Sequence, residues 1–155
     1  LKDRVGVNRI DDRLVAQADV MPTLLELCDI PVPDSVEGAS MLSEHRRDFL
    51  YGEFYEDGAA TRMVHEGRYK LIYYPTGNRT QLFDLEEDPD EMRDLSDDTS
   101  MSEVRDRLTR ILVDHLYGSD MEWLRDGRLV GLPDRDIPDD GDYDVRHYGR
   151  GHRFG

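Results

Sequence analysis

A chain of 155 residues, 37% hydrophobic and 35% charged, has material for about one domain with one modest core. Thirty-five acids against 20 bases leave a net charge of −15, which repels phosphate backbones and anionic lipid surfaces and argues against nucleic-acid or membrane-surface partners. No apolar run approaches the ~20 residues of a membrane span.

The charge is lopsided, with 24 Asp to 11 Glu, and 18 Arg to only Lys2 and Lys70. An acidic, lysine-poor surface resembles halophilic proteins, since strong screening (a Debye length of ~3 Å at 1 M salt) makes dense like charge inexpensive. The single cysteine, Cys28, excludes an internal disulfide. The chain opens Leu-Lys-Asp-Arg, without methionine and without a signal-peptide core, and reads as a piece of a longer polypeptide whose compartment is left open.

In chain order, the first periodic signal runs from Asp19 to Cys28. Asp19 can cap a helix, and Pro22 falls in the first turn, where its missing N–H is harmless. Val20, Leu24, Leu27 and Cys28 share one apolar face, and Pro31 and Pro33 stop the helix. Residues 31–48, with turn formers such as Asp34, Ser35, Gly38 and Ser40, read as a linker.

A β-rich block follows. Strands are predicted over Phe49–Tyr55, Arg62–His65, Tyr69–Tyr74 and Gln81–Leu85. Glu66-Gly67-Arg68 makes one hairpin turn, and Pro75-Thr76-Gly77-Asn78 makes another. Val104, Leu108, Ile111, Leu112 and Leu116 then repeat at helical spacing over Ser102–Tyr117, and Gly118 is a natural stop. The fold class expected is α+β: a small antiparallel sheet of about four strands packed by this helix. Residues 118–155, rich in Asp, Gly and Arg, read as a partly extended tail.

Few residue patterns suggest chemistry. There is no Gly-x-Ser-x-Gly elbow, phosphate loop, Cys-x-x-Cys or His-Glu-x-x-His. Asp134, Asp136, Asp139, Asp140, Asp142 and Asp144 could supply oxygen ligands, but they lack EF-hand spacing and read better as a solvated tail. His147, His152 and Tyr148 have no further well-placed ligand. His115 reads as a packing or surface histidine and Cys28 as an inert core thiol. Arg62, Arg68 and Lys70 place three cations on one hairpin. They could meet an anionic group, but pairing with Glu53, Glu56 and Glu66 is the simpler reading.

Three segments resemble a known family. Asp19-Val20-Met21-Pro22-Thr23-Leu24-Leu25 leading to Ile30 is similar to the "vDl-PTLL-L-GI" stretch of type I sulfatases, in the alkaline phosphatase superfamily. Glu37-Gly38-Ala39-Ser40 resembles the "P-GxSL" linker that follows it. Gly67-Arg68-Tyr69-Lys70-Leu71-Ile72, then Gln81-Leu82-Phe83-Asp84-Leu85-Glu86-Glu87-Asp88-Pro89 and Glu91-Met92-Arg93-Asp94-Leu95, looks like "GRYKLI…LFDLexDPxExxNL" of the sulfatase C-terminal subdomain. The likeness covers roughly residues 14–115 and departs at Asp29 and Asp94.

The resemblance implies a division of labour. Residues 1–30 would end the large α/β catalytic domain, 31–48 would link, and 49–117 would form a C-terminal subdomain that helps wall the substrate cleft. The parent enzyme would hydrolyse sulfate esters with formylglycine and calcium, held upstream. Cys28 is followed by Asp-Ile-Pro and not by x-Pro-x-Arg, and the family's Asp-Asn metal pair and His–Lys neighbours are not found, so no catalytic or metal-binding residue transfers to this chain. Residues that touch substrate are left unassigned, with Glu53–Thr61 and Pro75–Asn78 both candidates to reach the cleft.

Two other readings compete. One is the same subdomain in a phosphoester or phosphonate hydrolase. The other is a stand-alone interaction module using the tyrosines Tyr51, Tyr55, Tyr69, Tyr73 and Tyr74. An orphaned apolar face would also promote a homodimer of the isolated piece.

Overall fold

The computed structural model describes residues 10–55 and 60–134. Helix α1 (Val20–Leu27) follows a short 3-10 turn, Gln17–Asp19. Strands β1 (Leu50–Phe54), β2 (Thr61–Glu66), β3 (Tyr69–Tyr74) and β4 (Arg79–Asp84) come next, then helix α2 (Ser102–His115). The four strands form an antiparallel meander in the order β1-β2-β3-β4, the α+β class expected.

The meander follows from period-two patterning and its turns. Gly67 sits at φ 54° in the tight β2–β3 turn, a conformation that costs an L side chain and not glycine. Tyr51 lies opposite Val64, Val64 opposite Leu71, and Leu71 opposite Leu82, one apolar row across the sheet. Leu108 and Leu112 of α2 are buried against it, with Leu95 and Leu116 closing the same core. Each fully buried leucine stabilises the fold by about 1.5–3 kcal/mol.

The core does not end at Gly118. A 3-10 segment, Gly118–Trp123, buries Asp120 and Trp123, and β5 (Leu124–Arg125) pairs with β6 (Arg128–Leu129). Leu132 then bridges Thr76, and its amide donates to the Pro75 carbonyl at 2.8 Å. Residues 118–132, expected to belong to the tail, are therefore a strap over one end of the sheet. Trp123, Leu124, Leu129 and Leu132 pack on the core, while Met121 and Val130 stay exposed. The expected roles of Asp136, Asp139, Asp140, Asp142, Asp144, His147, Tyr148 and His152 lie outside the described residues. Asp134 is described, and it pairs with Arg79.

The N-terminal part is built on the opposite plan. In α1 the buried residues are Pro22 and Thr23, while Val20 and Leu24 are 47% and 57% exposed. Cys28 is exposed, which corrects its reading as a core thiol. The reason is a polar anchor that periodicity does not register. Asp19, fully buried, accepts from the amides of Ala16 and Ala39 and from Arg47 at 2.5 and 2.6 Å. Thr23 Oγ1 accepts from the Met41 amide at 2.8 Å. These bonds draw residues 38–47 across the polar side of α1. Gly38 permits the approach, since a Cβ there would sit 2.0 Å from the Ala18 carbonyl oxygen. The "P-GxSL" linker is thus a docked segment.

Candidate functional site

At one end of the sheet, the last residues of β1 and the first of β2 meet the Gly118–Trp123 segment around Arg62. The Arg62 guanidinium donates from Nε and Nη2 to Asp120 at 2.6 and 2.8 Å, a bidentate pair with both partners buried. Nη1 donates to the carbonyls of Thr61 at 2.9 Å and Tyr55 at 3.2 Å, and the guanidinium lies 5.0 Å from the Trp123 ring centre. Burial opposes the charge on Arg62, but the bond to Asp120 together with the negative charges of Asp120 and Glu53 outweighs it and raises its pKa.

The pair acts as a clamp. It ties together both ends of the β1–β2 connection and fastens them to the strap. Tyr55 lies within its reach at φ 60°, a left-handed conformation unusual for a tyrosine. Beside the clamp opens a cleft of about 530 Å³ rimmed by Glu53, Tyr55, Tyr117 and Ser119. Tyr117 donates to Glu53 at 3.0 Å, and that bond lifts the tyrosine pKa. The neighbouring Tyr51 hydroxyl is buried with no hydrogen-bond partner among the described residues, and burial, then the Glu53 charge, pushes its pKa well above the usual range.

The three hairpin cations do not converge. Arg62 faces α2, Lys70 projects from the other side of β3 and meets Glu91 at 2.7 Å, and Arg68 grips Asp84. Pairing was the simpler expectation, and pairing is found. Of the expected partners, Glu53 stands 3.9 Å from Arg62 behind the closer Asp120, Glu66 binds Arg107, and Glu56 lies outside the described residues. Nor do the tyrosines share a face. Tyr51, Tyr69 and Tyr73 lie on the side covered by α2, Tyr74 on the other, and of the five only Tyr55 is mostly exposed. His115 is a surface histidine, its Nδ1 2.8 Å from the Ile111 carbonyl oxygen and its ring against Phe49 and Tyr51.

Comparison with known proteins gives this architecture its context. Residues 2–116 match the family model described as N-sulphoglucosamine sulphohydrolase, C-terminal. The chain belongs to this sulfatase family. An arylsulfatase of Clostridium perfringens is 34% identical over 141 residues, covering 86% of this chain and 29% of that protein. A solved 2-O GAG sulfatase superposes with a TM-score of 0.58 at 28% identity, covering 63% of this chain and 23% of the other. The phosphonate monoester hydrolase of Agrobacterium radiobacter shares the fold, with a TM-score of 0.57 at 23% identity and coverage of 68% and 25%. The chain thus spans less than a third of the length of these relatives.

The family's expected cofactors do not fit the donors that the described residues bring together. Among the described residues, no three of His, Cys, Asp and Glu converge to hold a metal ion. Asp19, Asp84 and Asp120 are each committed to an arginine. Cys28 heads Asp29-Ile30-Pro31, which is no formylglycine sequence. Sequence reasoning missed Asp120 and Trp123. The one signal was the chain's single tryptophan set in a polar stretch.

Proposed function

We propose that this chain is the C-terminal part of a sulfuric ester hydrolase whose catalytic residues, formylglycine and calcium ion lie in an upstream domain. Residues 1–30 then finish that domain, 31–48 join it to the rest, and the subdomain from residue 49 walls the substrate cleft. The observation that carries the reading is the family match across residues 2–116 in a chain under a third of its relatives' length. The displayed apolar side of α1 supports it: Val20, Met21 and Leu24 are left uncovered here and would face the catalytic domain. The arylsulfatase likeness, at higher identity, favours sulfate over phosphonate esters.

The β1–β2 end is the part of the subdomain proposed to reach the cleft. The competing Pro75–Asn78 turn is occupied by the strap: Gly77 donates to Leu132, Leu132 to Pro75, and Asn78 to Leu129.

The experiment compares the full-length protein with the 155-residue chain. With calcium, the full-length protein is expected to turn over an aryl sulfate faster than an aryl phosphonate, and the chain alone neither. Mass spectrometry of alkylated Cys28 gives a second readout, with the thiol reacting readily in the chain and protected in the full-length protein. Turnover by the chain alone, a preference for the phosphonate, or equal Cys28 reactivity in both would overturn the reading. In isolation, the same apolar side is expected to pair copies of the chain, visible as a dimer by light scattering.

A further inference from the structure

The cleft beside the Arg62–Asp120 clamp has a chemistry of its own. Its one cation among the described residues is engaged, because Arg62 bonds Asp120 from Nε and Nη2 and backbone carbonyls from Nη1, with Glu53 3.9 Å from Nε. Arg62 and Asp120 cancel, which leaves the Glu53 carboxylate as the net charge. A sulfate or carboxylate entering here meets like charge and, among the described residues, no free cation. A hydroxyl can donate to Glu53 in a charge-assisted bond. The Tyr55 and Ser119 hydroxyls both donate and accept, as ring hydroxyls do.

Two aromatic faces complete the site. Tyr55 and Tyr117 are 69% and 64% exposed at its rim and offer apolar surface to the C–H side of a ring. The clamp holds the Tyr55 carbonyl, so its backbone is ordered before any ligand arrives, which lowers the cost of binding. At about 530 Å³, the cleft lies within the ~300–1,000 Å³ range of small-molecule sites.

We propose that Glu53, Tyr55, Tyr117 and Ser119 form a subsite for an uncharged hydroxylated ring, a neutral sugar or cyclic polyol unit. Its place on the alcohol side of a sulfate ester rests on the function proposed above, but the binding chemistry does not. The subsite selects esters whose ring carries free hydroxyls next to the reacting group and discriminates against rings bearing a second anion there.

The test uses the 155-residue chain and its amide NMR spectrum, which also reports that each variant is folded. Neutral methyl glycosides of glucose and galactose and free inositol are the probes, with glucose 6-sulfate and tetramethylammonium as contrasts. At least one neutral probe is expected to shift the Glu53, Tyr55, Tyr117 and Ser119 signals saturably, and the sulfated sugar to bind about tenfold more weakly, a difference of about 1.4 kcal/mol. Glu53→Gln should narrow that gap, and Tyr117→Ala should weaken every sugar. No saturable shift with any neutral probe, equal or tighter binding of the sulfated sugar, or a response to tetramethylammonium alone would overturn the subsite. Loss of aryl sulfate turnover in the full-length protein, with these shifts intact, would count against the sulfatase reading only.

Discussion

The sheet with α2 and the segment around α1 bury opposite kinds of residue. Beneath α2 the buried side chains are Val64, Leu71, Tyr73, Leu82, Leu108 and Leu112. In the α1 region they are Asp19, Pro22 and Thr23, while Val20, Met21, Leu24, Ile30 and Val32 are displayed. The first region closes on itself, since its apolar stripe and its cover both lie within residues 49–132. The second keeps its hydrogen bonds inside and turns its apolar surface outward. That inversion is what is expected of a helix whose hydrophobic partner belongs to another part of a larger fold, the arrangement proposed above.

The sharpest way to break this contrast is to damage the buried Arg62–Asp120 ion pair of the closed region. Asp120→Ala strands the Arg62 guanidinium and is expected to cost about 3–5 kcal/mol in urea unfolding. Replacing both partners together, Arg62→Met with Asp120→Leu, should cost less than the single change, because no buried charge is then left alone. A double variant as damaged as the single one would mean that packing, and not charge, fastens the strap.

A matched pair of truncations is the next test. Leu108→Ala opens a cavity under the sheet and is expected to cost about 2–5 kcal/mol. Leu24→Ala removes the same atoms from an exposed side of α1 and should change the stability of this chain by less than about 0.5 kcal/mol. In the full-length protein the two costs should converge, if the catalytic domain covers α1. Equal costs in the 155-residue chain would show that Leu24 already sits in a core.

The same contrast explains what could be read from the residues in advance. The meander was legible because its signals are local: alternation along Tyr69–Tyr74, and glycine at the Gly67 and Gly77 turns. Helix α2 was legible because Leu108 and Leu112 recur one turn apart. What escaped depends on distant polar partners. Arg62 finds Asp120 across 58 residues, and Asp19 finds Arg47 across 28. Neither pairing leaves a period in the sequence, so periodicity alone places Asp120 in the tail and reads Asp19 as a simple cap. The α1 face was misjudged for the same reason, since periodicity identifies an apolar side without saying which chain segment covers it. Arg68 and Lys70, read as paired, were read correctly in kind, with partners contributed by β4 and the loop beyond it.

The smallest effect is the most local, and it concerns the anchor of α1. Burial pushes the Asp19 pKa up, but the bonds from Arg47 and from the Ala16 and Ala39 amides outweigh it and hold the carboxyl below its ordinary value. A depressed folded-state pKa stabilises at pH values above the unfolded one, near ~3.9, and that contribution is lost as pH falls through the folded value. Asp19→Asn should therefore cost about 1–2 kcal/mol at neutral pH, with the gap to the parent chain closing below about pH 4. Asp84, Asp94 and Asp98 are depressed as well, so both proteins lose stability in acid and only their difference reports on Asp19. Amide hydrogen exchange gives the local readout. The Ala39 amide donates to Asp19 and the Met41 amide to Thr23, so both should lose protection in the variant while amides in β2 and β3 keep theirs. Protection that stays intact at Ala39, or a stability gap that does not narrow in acid, would mean that the Asp19 charge is not what ties residues 38–47 to α1.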